Sequence, residues 1–313
     1  MKVSILCMAF NHEKYIRSAL EGFANQKTDF DYEVIIHDDA STDGTADIIR
    51  EYAEKYPHLI RAIYQTENKY SQRVDIVRSI LVPVAEGEYF AICEGDDYWT
   101  DENKLQLQVD ILDRNSGYSA CVHNCRKLDL MTGEQTVMYP EEDRDLGVPD
   151  VLQGGSCCYQ TASLMCRREA FAEFPPFLPV FFDSPFSIHL AILGPIRYLG
   201  RVMSVYNVGT ANSWTTANRR DMRKNAIFHS CVSKMLKQVD EYTGFAYREQ
   251  IGGLGLYNDY KALYFEEKYA EMRKPEFRRL YSQESLSSRV KMRLKQYFAP
   301  LYHQYRKRKY GTP

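Results

Sequence analysis

The chain has no uninterrupted apolar segment near the roughly 18–20 residues that cross a bilayer, so nothing in it reads as a membrane span. Nor does it open on a secretory signal: the run Val3 to Phe10 leads straight into Asn11-His12-Glu13 without a small-residue cleavage pattern, as a buried strand would. Charge of one sign is also missing. A formal net charge of −2 leaves no global basic field of the kind that grips nucleic acid over a whole surface, and no nucleic-acid partner is expected. The eight cysteines contain no C-x-x-C pair and several sit in apolar runs, which predicts reduced core residues and a cytoplasmic protein. Cys121, His123 and Cys125 alternate along one strand face but have no fourth ligand nearby, which fits an ordinary packed strand better than zinc. No internal repeat or P-loop occurs, His12-Glu13 does not continue into H-E-x-x-H, and Gly252-Gly253-Leu254-Gly255 lacks the third glycine and the preceding strand of a dinucleotide fingerprint.

What is present is an alternation of strand and helix patterns. Strands are predicted over Val3 to Ala9, Val34 to Ile36, Ile60 to Tyr64, Tyr89 to Glu94 and Ala120 to Asn124. Helices are predicted over Lys14 to Asn25, Thr45 to Tyr56, Val74 to Val84 and Lys104 to Leu112, the third despite its Pro83. A β-α-β order implies a parallel sheet, and ligands of such sheets bind beyond the carboxyl ends of the strands. Three of those ends carry polar clusters: Asn11, Asp38-Asp39, and Glu94-Gly95-Asp96-Asp97. The middle third is broken by Gly154-Gly155, Pro175-Pro176, Pro179 and Pro185, so loops and one helix after Ser184 are expected there. From Arg219 the pattern is helical and polar.

An apolar strand that runs directly into Glu94-Gly95-Asp96-Asp97 concentrates negative charge at one point. That is costly unless a cation neutralises it. Mg²⁺ or Mn²⁺ held by one or two carboxylates and by substrate phosphates would do so. An isolated Asp-Asp pair would instead be a solvated turn capping the next helix. Similarly, Asp43 or Ser41 could simply cap the helix at Thr45, while a carboxylate at the tip of the second strand could accept a uracil imide N–H or a ribose hydroxyl.

Taken together, Val3 to Asn11, His37 to Thr45 and Glu88 to Trp99 resemble the three nucleotide-binding segments of the family 2 glycosyltransferases. The resemblance covers roughly residues 1 to 215 and implies an α/β fold: a GT-A type, Rossmann-like, mostly parallel sheet flanked by helices, with a helical C-terminal extension. It implies a glycosyltransferase domain over 1–215, with a nucleotide-sugar-binding half (1–115) and an acceptor and catalytic half (116–215). Residues 216–313 would form a helical region with a basic amphipathic tail. Donor contacts are expected from Ala9, Phe10, Asn11, Glu13, Asp38, Asp39, Asn68, Glu94, Gly95 and Asp96. Asp96-Asp97 match the D-x-D element, with Asp97 as the direct metal ligand, Asp96 nearer the ribose and Glu94 in place of the usual leading Asp. The stretch Phe182 to Leu199 resembles the family segment in which an acidic residue opens a helix, making Asp183 the expected catalytic base.

Two departures stand out. The family's apolar-Pro-Thr-Tyr-Asn reads Met8-Ala9-Phe10-Asn11 here, and its Tyr-Arg-x-His reads Tyr206-Asn207-Val208-Gly209, which removes any side-chain diphosphate contact from the Arg and His. Asn212-Ser213-Trp214 follow and could keep this loop over the donor. The resemblance implies an inverting, metal-dependent transfer from a nucleotide-diphospho-sugar, UDP-linked by expectation, to a hydroxyl of a cell-surface polysaccharide or glycolipid. A sugar-phosphate nucleotidyltransferase would need a Gly-rich basic loop near the N-terminus, which is absent. A non-catalytic nucleotide-sugar-binding subunit is the other alternative. The last acidic residue is Glu284, and the cations that follow among Val290, Leu294, Tyr297, Phe298, Leu301 and Tyr305 suit contact with the inner face of a cytoplasmic membrane.

Overall fold

The computed structural model describes residues 1–155, 158–177, 183–210 and 221–298, with Asp183 described by its backbone alone. The chain divides into two compact units, Met1–Ser213 and Trp214–Pro313.

The first unit opens with four parallel strands, β1 (Val3–Ala9), β2 (Tyr32–Asp38), β3 (Ile60–Tyr64) and β4 (Tyr89–Ile92), in the order β3-β2-β1-β4. The largely apolar sequences of β1, β2 and β4 suit burial on both faces, whereas β3, at the sheet edge, buries only Ile60. Helix α1 (Ile16–Ala24) buries Ile16, Ala19, Leu20 and Phe23, one face at helical spacing, and α2 (Thr45–Lys55) buries Thr45, Ile49 and Tyr52 in the same way. Both turn these side chains into the main core, where Phe23 meets Trp99 edge-on at 4.9 Å. Burial of a Phe of this kind contributes about 2 kcal/mol.

Beyond β4 the sheet becomes mixed. A two-residue strand β5 (Tyr98–Trp99) precedes helix α3 (Lys104–Arg114), strand β6 (Ala120–Asp129), and the short β7 (Gln135–Val137) and β8 (Arg144–Leu146). Helix α4 (Val148–Gly154), strand β9 (Met165–Arg167), helix α5 (Asp183–Leu193) and strand β10 (Ile196–Val208) complete the unit. The ten-stranded order is β3-β2-β1-β4-β9-β6-β10-β5, with β7 on β6 and β8 on β10. β6 and β10 are parallel, whereas β9 is antiparallel to both β4 and β6, and β5 and β8 are antiparallel to β10. The sheet is therefore parallel in its nucleotide half and mixed outside it.

One local element differs from its sequence-based expectation, and one strand is irregular. The helix expected over Val74 to Val84 is a π turn (Val77–Leu81) running into a 3₁₀ turn (Val82–Val84), because Pro83 lacks the N–H that a regular helix needs. The segment after Gly194 is one long strand with irregular register between Leu199 and Ser204. There a Cβ on Gly200 would fall 1.7 Å from the Glu141 carbonyl oxygen, so only glycine fits. Asn124 Nδ2 donates to the Gly200 carbonyl (3.2 Å) and Gly200 N–H donates to Asp143 Oδ1 (2.9 Å), replacing the disturbed ladder bonds.

The second unit contains α6 (Met222–Tyr242), α7 (Arg248–Phe265), α8 (Arg278–Gln283) and α9 (Leu286–Tyr297). Asp221 caps α6 by accepting from Lys224 N–H, and a small core forms from Tyr260, Tyr269, Met272, Phe277 and Met292. Among the described residues no helix is long and apolar enough to cross a membrane.

Candidate active site

In the parallel block the chain proceeds from β1 outward through β2 and β3, then returns to place β4 on the other side of β1. The crevice beyond the carboxyl ends of β1 and β4 is the switch point at which open α/β sheets bind ligands. The sequence-predicted clusters of Asn11, Asp38-Asp39 and Glu94 to Asp97 lie at or just past the carboxyl ends of β1, β2 and β4.

Asn11 adopts φ 55°, a left-handed turn that Asn tolerates better than most residues. Its N–H donates to Ser41 Oγ (2.9 Å) and its Oδ1 accepts from Thr42 N–H (2.8 Å), so the loops after β1 and β2 are bonded to each other. His12 N–H donates to Thr45 Oγ1 (2.7 Å) and Glu13 N–H to Asp43 Oδ2 (3.2 Å), which extends the same seam. Burial alone would raise the Asp43 carboxyl, but hydrogen bonds from Thr45 and from backbone amides outweigh it and lower the pKa. Asn11, His12, Glu13, Lys14, Tyr15, Asp43 and Thr210 line a cleft here. Ala9 is buried in β1, where its carbonyl accepts Asp39 N–H (2.9 Å), and Phe10 is half-buried beside it.

The two carboxylates at the end of β2 do different work. Asp39 is buried and both its oxygens are engaged, Oδ1 by Lys69 N–H (2.6 Å) and Oδ2 by Tyr70 N–H (3.0 Å). Asn68 Nδ2 adds a bond to the Asp39 carbonyl (3.2 Å). Asp39 and Asn68 thus clamp the 68–70 loop beside the crevice. Asp38 is equally buried, but only its Oδ2 has a partner, Ser41 N–H at 3.3 Å; its Oδ1 has no hydrogen bond. A buried carboxylate oxygen without a donor is expensive, and a ligand N–H or O–H would satisfy it.

The acidic turn is packed tightly against β1. Gly95 N–H donates to the Met8 carbonyl (2.8 Å), and a Cβ at Gly95 would meet Ile16 Cδ1 at 2.7 Å and His12 Nδ1 at 3.0 Å, which explains the glycine. Asp97 is only 2% exposed; its Oδ1 accepts Asn207 N–H (2.9 Å) and its Oδ2 accepts Gln160 Nε2 (3.4 Å). Burial, then repulsion from Asp96 and Glu94, pushes the Asp97 carboxyl well above the usual aspartate range. Asp96 is less enclosed: Thr210 Oγ1 donates to its Oδ2 (3.2 Å), and His12 Nε2 stands 3.9 Å from the same oxygen. Burial lowers the His12 pKa against the pull of Asp96, Asp43 and Asp38. The sequence-based reading made Asp97 the direct metal ligand; of the pair, Asp97 is the more enclosed.

Gln160, Asn207 and Thr210 had no place in the sequence-based site. Asn207 stands where the family pattern has Arg, yet it binds both neighbours of the turn, its N–H on Asp97 and its Nδ2 on the Asp96 carbonyl (2.6 Å). Only the resemblance to the family's Tyr-Arg-x-His pattern pointed to its position. Asp183 is the first residue of α5, and its side chain lies outside the described residues, as do Asn212-Ser213-Trp214 and, in the basic tail, Leu301 and Tyr305.

Among the described residues no group of three or more His, Cys, Asp or Glu side chains is arranged to hold a metal by itself. Glu94, Asp96 and Asp97 nevertheless fit a hard divalent ion of the sort that takes one or two carboxylates and completes its shell with phosphate and water, since their mutual repulsion is what such an ion relieves. Of the described cysteines, all but Cys231 are buried.

The family model described as "Glycosyl transferase family 2" matches residues 4–174. An uncharacterized protein of Mycobacterium tuberculosis is 37% identical over 257 residues, 80% of this chain and 72% of that protein. Among solved structures, S. aureus TarS 1-349 in complex with UDP-GlcNAc aligns with a TM-score of 0.59 at 18% identity, over 92% of this chain and 77% of that one. The mannosyltransferase PcManGT from Pyrobaculum calidifontis, in complex with GDP-Man and Mn²⁺, aligns with a TM-score of 0.54 at 18% identity, over 99% of this chain and 83% of that one. At these identities the two structures establish a shared GT-A fold.

Proposed function

Because the chain belongs to glycosyltransferase family 2, we propose that it moves a sugar from a nucleotide-diphospho-sugar, UDP-linked, to a hydroxyl of a cell-surface polysaccharide or glycolipid, with inversion at the anomeric carbon. The observation that carries this reading is the crevice at the β1/β4 switch, where Asp38 keeps a buried oxygen without a donor opposite a crowded acidic turn.

Asp38 Oδ1 would accept the uracil imide N–H, while the seam around Asn11 and the 68–70 loop held by Asp39 and Asn68 enclose the nucleoside. Ala9, Phe10, Glu13 and Gly95 would supply the walls. Asp96 would be the direct ligand of Mn²⁺ or Mg²⁺, with Asp97, held by Asn207 and Gln160, supporting it from behind and Glu94 adding charge. Such an ion supplies Lewis-acid stabilisation of the charge that collects on the departing diphosphate. Asp183 would take the proton of the acceptor hydroxyl as that oxygen bonds to the anomeric carbon from the face opposite the leaving group. The bond from the anomeric carbon to the diphosphate oxygen breaks in the same step.

Asp183→Asn tests the reading. A general base is worth on the order of 10²–10⁴ in rate, so turnover should fall by at least 10²-fold with nucleotide affinity retained. Equal turnover would remove Asp183 from the mechanism. Nucleotide binding with no turnover in the wild type would favour the non-catalytic subunit.

The reading includes peripheral contact with the inner face of the cytoplasmic membrane. On α9, Leu286, Val290, Leu294 and Tyr297, with Phe298 just beyond, are exposed along one face, whereas Met292 turns into the core of its unit. Lys291 and Arg293 flank the exposed stripe, and no Asp or Glu follows Glu284. An apolar stripe flanked by cations suits an anionic bilayer. Co-sedimentation with phosphatidylcholine vesicles should require added phosphatidylglycerol and be lost in Leu294→Glu; binding indifferent to either change would contradict it.

A further inference from the structure

We infer that Lys104 is a positioning residue for the donor site, holding the acidic turn in register through Trp99, Gln108 and the turn at 160–163; this rests on the reading of that site given above. Lys104 is fully buried. Its ammonium donates to Gln108 Oε1 (2.7 Å) and lies 3.9 Å from the centre of the Trp99 ring, and no carboxylate among the described residues pairs with it. A cation kept out of water without an ion pair is costly, and a methionine of similar length would fill the space without that cost. Burial lowers its pKa to about 7, a measure of the same penalty.

The ammonium organises its surroundings. With Oε1 committed to Lys104, the Gln108 amide must aim Nε2 the other way, and it donates to the carbonyls of Cys121 (2.8 Å) and Ser163 (2.9 Å). Trp99, seated against the ammonium, donates Nε1–H to the Ala162 carbonyl (2.8 Å). Two consecutive carbonyls of one turn are thereby gripped. The turn closes on Gln160, whose carbonyl accepts from Ser163 N–H (2.8 Å) and Ser163 Oγ (2.6 Å). Gln160 in turn reaches Asp97 Oδ2. A continuous line of donors and acceptors therefore runs from a lysine with no route to the substrate to the carboxylate behind Asp96.

The test is the Mn²⁺ concentration that half-saturates UDP binding, measured with thermal stability in wild type, Lys104→Met, Gln160→Ala and the double variant. Loss of an outer partner of a metal site typically costs about 10- to 100-fold, so Lys104→Met should raise the Mn²⁺ midpoint about tenfold while its Tm stays level or rises. The double variant should be no worse than Gln160→Ala alone, since both changes cut one line. A midpoint within about twofold of wild type, or effects that multiply, would overturn the inference while leaving the donor-site reading intact. A wild type that binds no nucleoside diphosphate with Mn²⁺ would overturn both. Should Lys104→Met fail to fold, Trp99→Phe, which keeps a ring but deletes the bond to Ala162, should show the same raised midpoint, and an unchanged one would count against the inference.

Discussion

Replacing Asp38 by Asn changes one buried atom from acceptor to donor and leaves the shape almost untouched. In the free protein Asp38 Oδ2 accepts Ser41 N–H and Oδ1 has no partner, so the asparagine can keep the first bond through its own oxygen. The Tm should therefore hold or rise slightly. Binding should respond strongly. A hydrogen bond to a charged acceptor is worth about 1.5–3 kcal/mol, which corresponds to a roughly 10- to 150-fold weaker dissociation constant for UDP. The base matters, because uracil presents an N–H at N3 where cytosine presents an acceptor. Asp38→Asn should weaken UDP and improve CDP, narrowing or reversing the preference between them. Calorimetric titration of both nucleotides into wild type and variant in the presence of Mn²⁺ reads this directly. A variant that binds UDP within about twofold of wild type, or that weakens UDP and CDP by one common factor, would refute the placement of the base at Asp38.

Four other outcomes follow from the same geometry. Asp96→Ala should abolish the metal dependence of UDP binding without lowering Tm, whereas Asp97→Ala should also destabilise the fold by freeing Asn207 and Gln160; equal effects on Tm would count against this division. Gly200→Ala places a Cβ on the Glu141 carbonyl and should cost at least the ~1–3 kcal/mol of an overpacked core, visible in urea unfolding, while a wild-type midpoint would contradict the register of β10. Phe23→Ala should cost about 3–5 kcal/mol in the same assay, and less than 1 kcal/mol would place Phe23 outside the core. For pH, Lys104 has a folded pKa lowered to about 7 against ~10.4 unfolded, so the folded state binds fewer protons between those values. Stability should then rise with pH from about 7 to 10 in wild type relative to Lys104→Met, and parallel Tm profiles for the two proteins would contradict a Lys104 pKa lowered by burial.

The strand ends carrying Asn11, Asp38-Asp39 and Glu94 to Asp97 were legible because each is local: an apolar run stops and polar residues begin within a few positions. The α/β class and the faces of α1 and α2 were legible for the same reason. What holds the acidic turn was not. Gln160, Asn207 and Thr210 reach Asp96 and Asp97 across 63 to 114 residues of chain, and no local pattern announces such a bond. Lys104 read as a polar residue at the start of a helix, since its burial depends on the closure of β5 and of the 160–163 turn over it. Strand β9, at three residues, is too short for an alternation to show, and the antiparallel half of the sheet was hidden with it. That the end of β10 covers Asp97 more than Asp96 was likewise hidden, because the contact joins residues 110 apart in the chain.

The most direct test of the account is a titration of UDP, GDP, CDP and dTDP into the full chain with and without Mn²⁺, repeated with Asp96→Ala. The account predicts that UDP binds, that Mn²⁺ strengthens it, and that the substitution removes the metal's contribution. Failure of every nucleoside diphosphate to bind in either condition would contradict it.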